Sequence, residues 1–290
     1  ALYASVKNEG KSMGMIIEKY IGKLGKKLFL LFSWLFTLLV IAAFADMVAG
    51  TFNAYTVNEA GAQVLAETAA SNGAAGTISL LFIVFAVLFG LIQKKWNLTG
   101  WKEGVVGLIC TVAALGIGMC FPITANQAVW SYITFVYIAF AAILPMWLLK
   151  QPRDYMTTFM FIGMIAAAVV GLVVAHPTMN LPVFTSFHSD SLGDLFPILF
   201  VTVACGAVSG FHSLVSSGTS SKTIENERDM LKVGYGAMVL ESLLAVIALC
   251  VAGAAAASDG TAAVGTPFQI FSRGVAGFLE IFGIPSYVAQ

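Results

Sequence analysis

Leu28-Phe29-Leu30-Leu31-Phe32-Ser33-Trp34-Leu35-Phe36-Thr37-Leu38-Leu39-Val40-Ile41-Ala42-Ala43-Phe44-Ala45-Asp46-Met47-Val48-Ala49-Gly50 runs for more than twenty residues with one charge, at its far end. A bilayer core about 30 Å thick is crossed by about 20 apolar residues in a helix, so this stretch reads as a membrane span. Six further stretches repeat the pattern: Thr77–Ile92, Gly104–Phe121, Ala128–Leu149, Met156–Ala175, Leu195–Ser217 and Gly234–Ala256. The second is short for a span. It must tilt little or sit where the protein is locally thin. The expected fold is all-α and polytopic, with about seven transmembrane helices, one of them a candidate broken helix.

Composition agrees. Of 290 residues, 59% are apolar and 10% charged, against about 25% charged in a soluble domain. Too little polar surface remains to face water, and lipid is the solvent that tolerates this chain. Net charge is zero and no long basic run occurs, so nucleic acid is not an expected partner. Cys110, Cys120, Cys205 and Cys250 lie in or beside apolar runs without a C-x-x-C pair, as buried thiols do.

The loops orient the spans. Lys7, Lys11, Lys19, Lys23, Lys26 and Lys27 precede the first. Lys94, Lys95 and Lys102 follow the second, Lys150 and Arg153 the fourth, and Lys222, Arg228 and Lys232 the sixth. The intervening loops have no Lys or Arg. Fourteen of the fifteen basic residues thus fall on one side, with Arg273 the exception. By the positive-inside rule that side is cytoplasmic. The division expected is a cytoplasmic lysine-rich segment 1–27, a transmembrane bundle 28–256, and an external loop with an amphipathic or re-entrant helix 257–290. In the last, Phe268, Phe271, Val275, Phe278, Leu279 and Phe282 recur at helical spacing behind Pro267. Trp96, Trp101, Trp130, Trp147 and Tyr155 read as interface anchors.

Small residues mark helix contacts, because lipid tails supply no hydrophobic drive for association. Gly107, Thr111, Ala114 and Gly118 share one helix face, and Gly163, Ala167 and Gly171 another.

The chemistry concentrates in the sixth span. Ser209, His212, Ser213 and Ser216 fall at i, i+3, i+4 and i+7, followed by Ser217, Gly218 and Thr219, with Gly206 and Gly210 beside them. Intramembrane polar groups face a bundle interior or an aqueous cavity. Glycines amid hydroxyls suggest a helix that breaks there, as transporter binding helices do. Ser209, Gly210, His212, Ser213, Ser216, Ser217, Gly218 and Thr219 are the expected substrate or ion contacts. Glu241, on a face with Gly234, Ala237 and Ala245 in the seventh span, and His212 are the proton-carrying candidates. No cofactor or metal is expected. His176, His188, Asp190 and Asp194 share a loop but fit no metal spacing. Ser216 and Ser221 stand where a P-loop needs glycine. An intramembrane hydrolase using Ser221 and Lys222, or a structural or sensory membrane protein, is the alternative to transport.

The run Ala204-Cys205-Gly206-Ala207-Val208-Ser209-Gly210-Phe211-His212-Ser213-Leu214-Val215-Ser216-Ser217-Gly218-Thr219-Ser220-Ser221-Lys222 closely resembles the core of the carbon starvation protein family, the CstA type. Gly234-Tyr235-Gly236-Ala237-Met238 through Glu241, Gly10-Lys11-Ser12 and Thr266-Pro267 fit the same family. The resemblance implies an inner-membrane protein of bacteria or archaea that takes up peptides or pyruvate with protons during carbon starvation. It also implies a longer parent. The chain is expected to be an internal fragment, needing the remainder of the transporter to complete a binding site.

Overall fold

The structure, a computed structural model, describes residues 1–57, 62–66, 68–97, 99–182, 184, 186–189, 193–201, 203, 210–256, 266–280 and 283. The protein is an all-α polytopic membrane protein. Its helices are α1 (Leu2–Lys7), α2 (Met13–Tyr20), α3 (Lys23–Phe52), α4 (Ala69–Trp96), α5 (Trp101–Cys120), α6 (Gln127–Ile143), α7 (Lys150–Ala175), α8 (Gly210–Val215), α9 (Met230–Ala255) and α10 (Pro267–Glu280). Among the described residues, strands are confined to two short antiparallel hairpins in connections, Tyr55–Val57 with Gln63–Leu65 and His188–Ser189 with Gly193–Asp194.

Among the described residues, α3, α4, α5, α7 and α9 are long and apolar enough to cross a membrane. The other two expected spans differ. The apolar run of the fourth continues to Leu149, but α6 stops at Ile143 after 17 residues. Pro145 forces the residue before it out of helical geometry, and Leu144 is extended at φ −70°, ψ 142°. Of the sixth, residues 202 and 204–209 lie outside the described residues. Leu195–Leu199 at its start is kinked rather than regular α-helix, with Phe196 extended at φ −111°, ψ 127°. The second span is not short: α4 has 28 residues. Its first two turns, Ala69 to Gly76, carry little hydropathy, yet Ala69, Gly73, Ala74 and Gly76 are buried there.

The chain forms two compact units. One comprises Ile41–Asn180 with Ile247–Gln290. Within it α4 packs against α5 and α7, around Phe82, Ala86, Phe89, Ala114, Leu149 and Met156. The α5 face that packs is the one expected: Gly107, Thr111, Ala114 and Gly118 are its buried residues. A Cβ on Gly118 would lie 2.3 Å from Ile78 Cγ1 and 3.1 Å from Ile78 Cα, so glycine there allows backbone contact. On α7 the small-residue seam lies one step round from the expected one. Ala168 and Gly171 are buried, whereas Gly163 is exposed with nothing near a would-be Cβ. Gly171 takes Phe278 of α10. Val275 and Phe278 form a second cluster with Ala168, Ile247 and Val251. The amphipathic helix expected near the end of the chain is therefore α10, docked by its apolar face.

Basic helix ends gather on one side of this unit. Lys94 Nζ lies 4.1 Å from the Trp147 ring centroid, Gln93 donates to Glu103 at 2.8 Å, and Gly90 abuts Pro152 at the start of α7. Two residues expected as interface anchors serve packing instead. Trp130 is 1% exposed, lying on Gly76 and edge-on to Phe52. Tyr155 stacks on Phe89 at 5.8 Å.

The other unit comprises Ala1–Val40 with Leu181–Val246. It holds α1, α2, the first part of α3, the serine-rich segment and most of α9.

Candidate functional site

Residues 210–223 form a helical segment that changes pitch. α8 gives way to a π-helical turn, Ser216–Ser220, and then one α-turn, Ser221–Thr223. The serines explain this locally. Ser217 Oγ donates to Ser213 O at 2.8 Å, Ser216 Oγ to the same carbonyl at 3.2 Å, and Ser221 Oγ to Ser217 O at 3.0 Å. Hydroxyls that bond back one turn compete with the backbone ladder and bend the helix. Short π turns recur at functional sites for the same reason, since they free and re-aim backbone groups. The break expected near the polar face is thus a widening of the helix.

The π turn has two sides. One is fastened to the start of the chain. Ser5 on α1 is fully buried, with its Oγ 2.7 Å from Lys11 O, 2.9 Å from Ser221 Oγ and 3.4 Å from Ser217 O. One hydroxyl carries one proton, so Ser5 donates to Lys11 O, the shortest contact, and its oxygen stays close enough to Ser221 Oγ to accept from it. Gly10 makes the approach possible. Its φ of +71° turns the backbone so that Gly10 N–H donates to Ser5 O at 2.8 Å. A side chain there would also meet Ser221 O and Lys222. The Gly10-Lys11-Ser12 run and the serine run, some two hundred residues apart, therefore meet.

The other side faces a cavity of about 550 Å³. His212, Ser213, Ser216 and Ser220 line it from the serine segment, Gly234, Ala237 and Glu241 from α9, and Leu2 and Met13 from the start of the chain. The size falls in the range of small-molecule sites, and an apolar lining with a few convergent polar groups is their usual make-up. His212 Nδ1 lies 3.6 Å from Glu241 Oε2, within ion-pair reach, with side chains 55% and 42% exposed.

The expected contacts divide accordingly. His212, Ser213 and Ser216 reach the cavity, and Glu241 joins them from the next helix. Ser217 faces the opposite way and is 1% exposed, in the packing against α1. Gly218 is exposed, and neither it nor Thr219 lines the cavity. Gly210 begins α8; Ser209 and Gly206 lie outside the described residues. Ser220 was not among the expected contacts, although it stands seven residues after Ser213 and so on the same face. Ser5 carried no sequence signal, since only the fold brings it to Ser221. For the hydrolase alternative, Ser221 Oγ is engaged by Ser217 O and Ser5, and Lys222 is exposed. His188 Nδ1 and Asp194 Oδ1 pair at 2.7 Å across the second hairpin, while Asp190 lies outside the described residues.

The family model described as carbon starvation protein CstA matches residues 1–280. The chain is 33% identical over 268 residues to the pyruvate/proton symporter BtsT of Escherichia coli strain K12, covering 87% of this chain and 34% of the relative. It is 35% identical over 270 residues to the peptide transporter CstA of Helicobacter pylori strain J99, covering 87% and 36%. Against the peptide transporter CstA of Bacillus subtilis strain 168 it is 32% identical over 301 residues, covering 97% and 46%. The chain thus spans between a third and a half of the length of these relatives. No solved structure matches it. A match over residues 1–280, nearly the whole chain, places the chain in the carbon starvation protein CstA family.

Proposed function

We propose that this chain is the substrate- and proton-handling part of a secondary transporter for small nutrients, peptides or pyruvate-like acids, in the cytoplasmic membrane. The N-terminal segment is cytoplasmic in this reading. The observation that carries it is the His212–Glu241 pair at 3.6 Å on the wall of a cavity that also presents Ser213, Ser216 and Ser220. The names of the relatives, a pyruvate/proton symporter and peptide transporters, support the same class of cargo.

The chemistry follows from charge. An empty cavity lets an imidazolium at His212 pair with the Glu241 carboxylate. A substrate carboxylate entering the cavity competes for the same imidazolium and repels Glu241. In this reading Glu241 carries the proton that accompanies the substrate carboxylate. Linkage makes the effect reciprocal, and a proton on Glu241 strengthens substrate binding. The serine hydroxyls orient the substrate by donating to its oxygens. The π turn beside them, tied to α1 through Ser5, supplies backbone that changes pitch without breaking.

The test is uptake of labelled pyruvate and dipeptides by the full-length parent in proteoliposomes, with and without an inward proton gradient. Gradient-stimulated uptake that His212→Ala and Ser216→Ala abolish is expected. Normal uptake by both variants would remove the cavity from the transport path.

A further inference from the structure

The cavity beside the serine segment has two ends. His212 and Glu241 face each other at one of them. From His212 the serine segment runs through Ser216 to Ser220, and from Glu241 α9 runs back through Ala237 to Gly234, all of them lining the cavity. Gly234 is seven residues from Glu241, about 10 Å along a helix at 1.5 Å per residue. At that far end Leu2 and Met13 enter the wall. A Cβ on Gly234 would lie 3.5 Å from Leu2 Cδ2, so Leu2 rests directly on α9. With the N-terminal segment cytoplasmic this is the cytoplasmic end, and Lys222 and Lys232 stand just beyond Ser220 and Gly234 in the chain.

Two different kinds of contact hold α1 and α2 there. α2 packs on the start of α3 through apolar side chains: a Cβ on Gly14 would lie 3.2 Å from Leu30 Cδ2 and 3.7 Å from Phe29 Cδ1. Between α1 and the serine segment the buried seam is made of hydroxyls. Ser5 is the buried residue of α1, and its Oγ lies 2.9 Å from Ser221 Oγ and 3.4 Å from Ser217 O. Among the described residues of this unit the buried side chains are Ser5, Ile16 and Ser217. The other unit closes on a cluster with Phe82, Phe89 and Met156.

Parting an apolar cluster exposes its whole surface to water. Parting a hydroxyl seam exchanges protein hydrogen bonds for bonds to water, at a small net loss. The seam at Ser5 is therefore where this unit opens most readily, and elements that move in function are drawn from contacts of this weak kind. The seam also meets the turn that follows the π-helical segment, where a change of pitch re-aims Ser221 without unwinding the helix.

We propose that α1 and α2 are the cytoplasmic gate of the cavity, with Leu2 and Met13 as its plug and the Ser5–Ser221 contact as its latch. The proposal rests on the reading of this cavity as the transport path. With the latch made, Leu2 and Met13 close the end beside Ser220 and Gly234. When the latch parts, water takes over the hydroxyls of Ser5 and Ser221, Leu2 leaves α9, and the His212–Glu241 end opens to the cytoplasm.

Ala237 stands between Leu2 and Glu241 along α9, so a cysteine there reports access. In the full-length parent carrying Ala237→Cys, alkylation by a charged, membrane-impermeant maleimide is followed on the peptide holding residue 237, from each face of oriented vesicles. Adding Ser221→Ala removes the latch and keeps Ser5 donating to Lys11 O. It should raise the rate from the cytoplasmic face about fivefold, the net worth of one hydrogen bond, without raising the rate from the external face. In a second variant, the 2.9 Å between the two hydroxyls puts thiols at the same positions within reach of an S–S bond about 2 Å long. Ser5→Cys with Ser221→Cys should lose uptake of labelled pyruvate and dipeptides on oxidation with diamide and regain it with dithiothreitol, while each single substitution is indifferent to both reagents. Uptake that continues with the disulfide formed, or an unchanged cytoplasmic-face rate in Ser221→Ala, would overturn the gate. Alkylation that follows the latch in a parent showing no uptake at all would support the gate and refute the transport reading instead. If the disulfide does not form, the alkylation rates decide.

Discussion

Replacing Glu241 with glutamine keeps the shape of the side chain and removes its titratable charge. At 3.6 Å from His212, the Coulomb energy of the charged pair is about 1 kcal/mol at the dielectric of water and about 5 kcal/mol at an effective dielectric of 20. Both side chains are roughly half exposed, so the lower end applies, as it does to exposed pairs generally. A double-mutant cycle of His212→Ala and Glu241→Gln should therefore show a coupling of about 1 kcal/mol, roughly fivefold in the substrate concentration for half-maximal exchange. The assay is counterflow in proteoliposomes loaded with unlabelled substrate, where no net proton movement is needed. There Glu241→Gln should still exchange substrate. Under an inward proton gradient the same variant should lose the stimulation that the unaltered protein shows. Strict additivity of the two substitutions, together with normal gradient stimulation in Glu241→Gln, would refute the pairing and the proton role at once.

Three further outcomes follow from packing. Gly118→Ala places a methyl 2.3 Å from Ile78 Cγ1 and against its backbone, and should lower thermal stability in detergent by about 1–3 kcal/mol, as overpacking does. Gly163→Ala, with nothing within 4 Å, should be neutral or stabilising by up to about 1 kcal/mol from helix propensity; both are read by the same melting curve. Ser5→Ala removes the donor to the half-buried Lys11 O and should cost about 1 kcal/mol. Changes on the cavity side should spare stability, so proteolysis of the 216–223 region separates Ser5→Ala from Ser216→Ala, which should alter uptake and leave the melting curve in place.

The parts of the fold legible in the sequence are those governed by one local period. The α5 seam could be read because four small residues repeat on one helix face, and that face meets α4 and α7. The end of α6 was equally local, since Pro145 dictates it, but hydropathy carries no penalty for proline and the apolar run conceals it. α4 was underestimated for the opposite reason: Ala69 to Gly76 is too weakly apolar to register, though Gly73 and Gly76 pack closely on the Ile123 backbone and the Trp130 ring. Trp130 shows a limit of residue-type rules. A tryptophan near a helix start reads as an interface anchor, and only the slot above Gly76, on another helix, makes it a buried one.

At the candidate site the sequence yielded the stripe but not its orientation. His212, Ser213 and Ser216 share a face by spacing alone, and that face borders the cavity. Whether Ser217 shared it depended on the pitch of the π turn and on α1, whose Ser5 is more than two hundred residues away. The His212–Glu241 approach has the same origin. Each residue is conspicuous as a polar group in an apolar run, but their separation is set by how α8 and α9 pack within their unit.

The most direct measurement is the lumenal pH of proteoliposomes holding the full-length parent, followed with a trapped pH-sensitive dye while substrate is added outside. If Glu241 and His212 couple substrate to a proton at this cavity, substrate addition acidifies the lumen in the unaltered protein and leaves it unchanged in Glu241→Gln that still exchanges substrate. Acidification of the same size in Glu241→Gln, or substrate entry without any acidification in the unaltered protein, would contradict it.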